Sequence, residues 1–280
     1  RDVLLLLPTP HFMGRDRLDA LTTSACLTSA LARLGVAPEV KATYFRGRGP
    51  IPLAELAPFK LVILAADEYR KDLPEIPGIL RRYVEKGGRR VLAMGQPDSL
   101  LSPTFETLAN PDLAELLGHP QVLATNHQHH TLWSQSVRWR LCEGAVPYWE
   151  RRMGRWMPGR EEKRMFFKWI APPKGCRLLA EAAVPSPPQE GRAYAWQDFA
   201  LAGENKWMPM YYRRPLGKGA VFAVPYTLNI FRSALDEIDV QRDDWDWMLQ
   251  AAIDDAGVAT DPCHSLSVLA QEFLNFRPTR

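Results

Sequence analysis

The densest grouping of chemistry-bearing residues in the chain is "NHQHH", residues 126–130, which puts His127, His129 and His130, half of the six histidines, within four positions. Histidines two apart on a strand point the same way, so His127 and His129 can share a metal with a remote carboxylate. A loop cluster that hydrogen-bonds solvent or backbone satisfies the same spacing. A second set follows the apolar runs: His11 and Asp16 after "VLLLLP", Asp67 and Glu68 after "LVILAA", Gln96 and Asp98 after "VLAMG", and Tyr226 and Asn229 after "VFAVP". If those runs are parallel strands, their carboxyl ends form the rim where ligands of open α/β sheets sit. Acid, amide and aromatic groups on one rim suit a sugar, whose hydroxyls need paired donors and acceptors. The same residue types also form turns and helix caps.

Tryptophans and arginines make a third set. "WSQSVRW" and "YWERRMGRWMPG" place Trp133, Trp139, Trp149 and Trp156 among arginines. This mixture is typical of interface hot spots and also stacks on sugar rings. An intersubunit surface is preferred over direct sugar binding, and a buried β-rich core with Arg at its rim is the plainer account. The acidic stretch "DEIDVQRDDWD" lacks the sixth-position Gly and closing Glu of a calcium loop. "RGRGP" lacks the third Gly and the strand-to-helix setting of a dinucleotide site. No cofactor is implied.

The elements that must position these residues alternate regularly at first. Val3 to Leu7 is a continuous apolar run, as in a strand buried on both faces. Apolar residues then recur at helical spacing from about Leu18 to Leu34, with Gly35 as the stop. "VAPEVKATYF" supplies a second strand and "KLVILAAD" a third. A helix from about Pro74 or Pro77 to Lys86 ends at Gly87-Gly88, and "RRVLAMG" is a fourth strand. From about 102 to 214 short alternating segments such as "TLWSQSVRWRL" and "WMPMYYRRP" predict a β-rich insertion, preceded by a helical piece, "NPDLAELLG". The α/β pattern resumes with the strand "GKGAVFAVPY" and a helix over about 243–255, faced by Trp245, Met248, Leu249 and Ala252. This succession predicts a doubly wound parallel sheet. The expected layout is one domain: core at about 1–101 and 215–257, insertion at 102–214, and tail at 258–280.

Composition narrows the class. Hydrophobic residues make up 46% and charged residues 24% of 280, which is globular and not disordered. Thirty-five basic residues against 32 acidic ones give a net charge of +3, spread in short clusters such as "YYRRP". A dense basic face interleaved with aromatics, as nucleic-acid binders carry, is not evident. Cys26, Cys142, Cys176 and Cys263 form no CxxC pair, so free thiols are expected in place of a zinc knuckle or redox motif. No apolar run reaches the roughly 18 residues of a membrane span, and a cytoplasmic location without membrane partners is the expectation. The start at Arg1, two residues before a strand, suggests processing or excision from a longer polypeptide.

Taken in order, "LARLGVAPEV", "LAPFKLVILAADEY", "GILRRYVEKGGRRVLAMG" and "GKGAVFAVPYTL" before a closing helix resemble the class I glutamine-amidotransferase-like fold. The nearest variant is the trimerisation domain of family 42 beta-galactosidases and related glycoside hydrolases. The likeness covers about half the chain, from Val3 to about Ser99 and from Gly217 to Gly257. It implies an α/β, flavodoxin-like (amidotransferase-like) sheet. Amidotransferases carry a nucleophilic cysteine in the turn after the strand that here is "RRVLAM", but Met94, Gly95 and Gln96 occupy that region. A thioether and an amide cannot be that nucleophile. The late strand runs into "PYTLN" with no His. The resemblance therefore implies a non-catalytic oligomerisation or active-site-shaping domain of a glycoside hydrolase. Its catalytic carboxylates would lie on a barrel in the same or another chain, and its partners would be further copies, that barrel, or carbohydrate. The rival expectation is a free-standing enzyme or sugar-binding protein that uses the strand-end crevice.

Overall fold

The computed structural model describes residues 1–7, 27–42, 44–45, 49–65, 75–94, 99–101, 107–109, 111–118, 122–126, 136–145, 148, 161–163, 168–170, 174–185, 192–194, 205–224 and 246–261. In chain order, strand β1 (Val3–Leu7) and helix α1 (residues 27–33) are followed by β2 (Glu39–Ala42) and a two-stranded ribbon of β3 (Tyr44–Phe45) and β4 (Gly49–Pro50). Next come α2 (Leu53–Leu56), β5 (Leu61–Ala65), α3 (Glu75–Glu85) and β6 (Arg90–Met94). A second ribbon, β7 (Ser99–Leu101) with β8 (Thr107–Ala109), leads to α4 (Pro111–Leu117), β9 (Val122–Asn126) and β10 (Ser136–Leu141). The strands β11 (Glu161–Lys163), β12 (Lys168–Ile170), β13 (Arg177–Pro185), β14 (Arg192–Tyr194), β15 (Asn205–Leu216) and β16 (Gly219–Val224) precede α5 (Asp246–Asp255).

Nine of these strands form one sheet in the order β11-β10-β13-β15-β16-β6-β5-β1-β2. The run β2-β1-β5-β6-β16 is parallel throughout. Counted among themselves, these five strands follow the order 2-1-3-4-5, which is the flavodoxin-like order, with its switch point between β1 and β5. The expected fold class is thus the one observed. β15, β13, β10 and β11 then add on antiparallel. Segments read from sequence as a β-rich insertion therefore continue the main sheet, and β15 runs through residue 214 without a break. A separate three-stranded sheet has the order β12-β9-β14.

Strand alternation explains the two buried layers. Val3, Leu5, Leu61, Ile63, Leu92, Met94, Phe222 and Val224 face one side, where they pack with α1 and α5. Leu4, Leu6, Val62, Leu64, Val91, Ala93 and Val221 face the other, with α2, α3 and α4. Both sides of the parallel strands are sealed, which is why their sequences read as unbroken apolar runs. Leu5, Ile63, Leu92 and Phe222 lie in one cross-sheet row, each paired with the next.

The helices end where the sequence signals placed them. In α3, Ile76, Ile79, Leu80, Tyr83 and Val84 form the buried stripe, and Gly88 at φ 64° closes the helix through its N–H to the Val84 carbonyl. The turn between β15 and β16 docks on this terminus. A Cβ at Gly217, φ 57°, would stand 2.7 Å from Glu85 Cα. In α5 the burial is wider than the expected stripe. Trp247, Ala251 and Ile253 are buried besides Met248, Leu249 and Ala252, because the helix packs into the core beneath Tyr211. Trp245 lies outside the described residues. No helix among the described residues is long and apolar enough to cross a membrane.

Candidate functional site

The parallel register aligns the carboxyl ends of the core strands. Ala65 pairs with Met94, and Met94 with Val224, so the chain leaves β5, β6 and β16 along one edge. The antiparallel strands rise beyond that edge. β15 pairs with β16 from Leu216 to Tyr212, but its residues 205–211 run on, still paired with β13. Trp207, five residues before Tyr212, stands about 15 Å along the strand past Ala223. A β-sheet wall thus rises beside the rim where ligands of this fold class bind.

The wall carries one organised cluster. Arg140 on β10 is directly opposite Glu181 on β13, and its Nε and Nη2 donate to Glu181 Oε2 at 3.1 and 2.9 Å. Its guanidinium lies 4.0 Å from the ring centroid of Trp207 on β15. The Cys142 thiol lies beside the Glu181 carboxylate. Burial first, and the Glu181 carboxylate second, push that thiol up to about 12, so it is protonated and unreactive at neutral pH. Burial likewise raises Cys176 to about 11. Cys142 and Cys176 are both unpaired and half-buried, in keeping with the free thiols expected; Cys26 and Cys263 lie outside the described residues.

At the opposite, amino end of the sheet a second polar cluster serves architecture. Asp255, the last residue of α5, accepts from Arg90 Nε at 2.5 Å and from Arg213 Nε and Nη2 at 2.9 and 3.1 Å. Tyr148 Oη approaches the same carboxylate at 3.4 Å. Burial would raise the Asp255 pKa, but hydrogen bonds and charge from Arg213 and Arg90 outweigh it and hold the carboxyl below its usual range. The clamp joins α5, β6 and β15, and Arg213 also covers the Phe222 ring at 5.9 Å. Arg214, its neighbour, turns to the other face and donates to the Glu115 and Leu116 carbonyls at the end of α4. The "YYRRP" cluster is therefore structural. Its two arginines point to opposite faces of the sheet and form no single basic surface with each other.

Most residues nominated from sequence fall outside the described residues: His11, Asp16, Asp67, Glu68, Gln96, Asp98, Tyr226, Asn229, His127, His129, Trp133, Trp149 and Trp156. The strands that lead to the rim residues do end side by side. Trp139 is on β10, paired with Ala182 of β13. Among the described residues no group of three or more His, Cys, Asp or Glu gathers as a metal site. Sequence reasoning missed Arg140, Glu181 and Trp207, which are 41 and 26 positions apart along the chain. The alternation in "VRWRL" placed Arg138 and Arg140 on one strand face, but nothing local announced Glu181 or Trp207 as neighbours.

No protein-family model matches the sequence, and no curated protein does. Among solved structures, the beta-galactosidase from Bacillus circulans sp. alkalophilus is similar over 92% of this chain and 31% of its own, at 11% identity and a TM-score of 0.55. The beta-galactosidase from Rahnella sp. R3 is similar over 90% of this chain and 31% of its own, at 18% identity and a TM-score of 0.53. The glutaminase domain of Trypanosoma brucei CTPS is similar over 94% of this chain and 97% of its own, at 8% identity and a TM-score of 0.47. The chain spans about a third of the length of the two beta-galactosidases. The resemblance read from the sequence is borne out as a likeness of fold.

Proposed function

We propose that this chain is a non-catalytic domain of a carbohydrate-active glycoside hydrolase that mediates oligomerisation or shapes the active site of a catalytic barrel. One observation carries the reading: the fold likeness spans nine-tenths of this chain but only 31% of each beta-galactosidase. A domain of this size inside a longer enzyme leaves the bond-breaking carboxylates to the remainder. The end of β6 supports a non-catalytic role, because Met94, its last residue, and Gly95 and Gln96 after it offer no nucleophile where amidotransferases place their cysteine. Oligomerisation would bury Trp133, Trp139, Trp149 and Trp156. The rim residues His11, Asp16, Asp67, Glu68, Gln96, Asp98, Tyr226 and Asn229 would lend side chains to a sugar cleft. The layout in this reading is a single domain with its core at about 1–101 and 215–257.

The test is native purification followed by intact mass and identification of co-purifying chains. A larger parent polypeptide, or a tightly bound barrel chain, is the expected outcome. A lone monomer of this mass with no catalytic partner overturns the reading. An independent check is ammonia release from glutamine, expected to stay at the buffer rate.

A further inference from the structure

We propose that Trp207, Arg140 and Glu181 form a saccharide platform on the β-wall, which takes one pyranose ring by stacking and bidentate hydrogen bonding. Trp207 is 39% exposed and sits on the strand opposite Ala183; the Arg140 guanidinium stacks over one face of its ring, so a sugar would stack on the face turned from Arg140. Arg140, whose side chain is 50% exposed, is oriented by the two bonds from its Nε and Nη2 to Glu181. Glu181 supplies carboxylate acceptors beside them. An aromatic plane with a fixed guanidinium-carboxylate pair matches a sugar, whose C–H face is apolar and whose adjacent hydroxyls pair with charged planar groups.

Three further observations favour a small ring over a protein partner. All three residues stand on paired strands of one sheet, so the geometry is held before any ligand arrives. Among the described residues the other exposed large hydrophobic is Val40, on β2 at the far edge of the sheet. A stable protein interface buries roughly 800 Å² per partner around several such anchors, whereas a single ring needs one. The platform also stands past the carboxyl edge of the parallel strands, on the side of the sheet where α4 packs. It rests on residues of the antiparallel wall, so it does not depend on the role proposed above.

The test is a titration of the full chain, labelled at the indole N–H groups, with methyl β-galactoside, methyl β-glucoside and methyl α-mannoside, and with glycerol as a polyol lacking a ring. The Trp207 signal is identified by its loss in Trp207→Phe. The proposal expects that signal to shift and saturate with at least one glycoside, with a Kd of about 1–10 mM, as a single-ring contact gives. Arg140→Ala should weaken binding at least about fivefold, with the other indole signals unmoved. A stationary Trp207 signal with all three glycosides overturns the proposal, as does an equal response to glycerol. Self-association that Trp207→Ala abolishes, with no glycoside response, would assign the patch to a protein contact and overturn it too.

Discussion

Asp255 shows how a single carboxylate can join elements far apart in sequence. Its side chain is 15% exposed and bonded to two guanidiniums, and its pKa lies below the unfolded value. A depressed carboxylate contributes stability that is present above its unfolded pKa, near 3.9, and lost as pH falls through the folded one. Asp255→Asn should therefore cost about 2 kcal/mol at pH 7 and flatten the loss of stability below about pH 4, as read by urea unfolding across pH. Gly144 is a steric case. A Cβ there would fall 2.1 Å from the Leu178 carbonyl oxygen, where a 3-10 turn presses on β13, so Gly144→Ala should destabilise by about 2 kcal/mol in the same assay. Cys142 provides a kinetic check. In a Cys26→Ser, Cys176→Ser, Cys263→Ser background its reaction with a disulfide reagent should be on the order of a thousandfold slower than that of a free thiol, and should accelerate on unfolding.

At the scale of elements, β15 does more than extend a sheet. Its Tyr212 hydroxyl donates to the Leu117 carbonyl at 3.0 Å, and Arg214 reaches the carbonyls just before it, so the strand caps the end of α4. Tyr211, its neighbour, faces the opposite layer, donates to the Met248 carbonyl at 2.8 Å and meets Trp247 edge-on. One strand thus ties down a helix on each face. Tyr212→Phe should cost about 1 kcal/mol and speed amide exchange in α4 more than in α5, whereas Tyr211→Phe should do the reverse. α1 and α5 are joined similarly: Arg33 makes two bonds, at 3.0 and 2.8 Å, to the buried Asp246.

For the whole molecule, the arrangement separates support from opportunity. The amino end of the sheet is closed by polar clamps such as Arg90–Asp255 and Lys60–Asp2. The carboxyl end carries the rim and the wall with Arg140, Glu181 and Trp207. If the chain works inside a glycoside hydrolase, the two ends have different duties, and substitution at each should read out differently. Asp255→Asn should lower stability without altering glycoside-induced shifts of the folded protein. Trp207→Phe should remove the Trp207 signal and leave the unfolding midpoint within about 0.5 kcal/mol of the parent, as for an exposed site.

The sequence by itself determined the alternation of strand and helix and the parallel core. Runs such as "VLLLL", "LVILA" and "GAVFAV" are apolar at every position, and only strands covered on both faces require that. It also determined the stops at Gly35 and Gly88, whose φ values of 75° and 64° favour a residue without Cβ. The missing nucleophile after β6 was legible too, since a side chain's chemistry needs no fold to be recognised. Tertiary structure alone decided that β10, β13 and β15 would join the main sheet, because edge pairing is settled by contacts between distant segments. It alone brought Asp255 to Arg90 across 165 positions and Glu181 to Arg140 across 41. Charged residues in strands carry no mark of their partner; only the register of strands that meet late in the chain brings the two together.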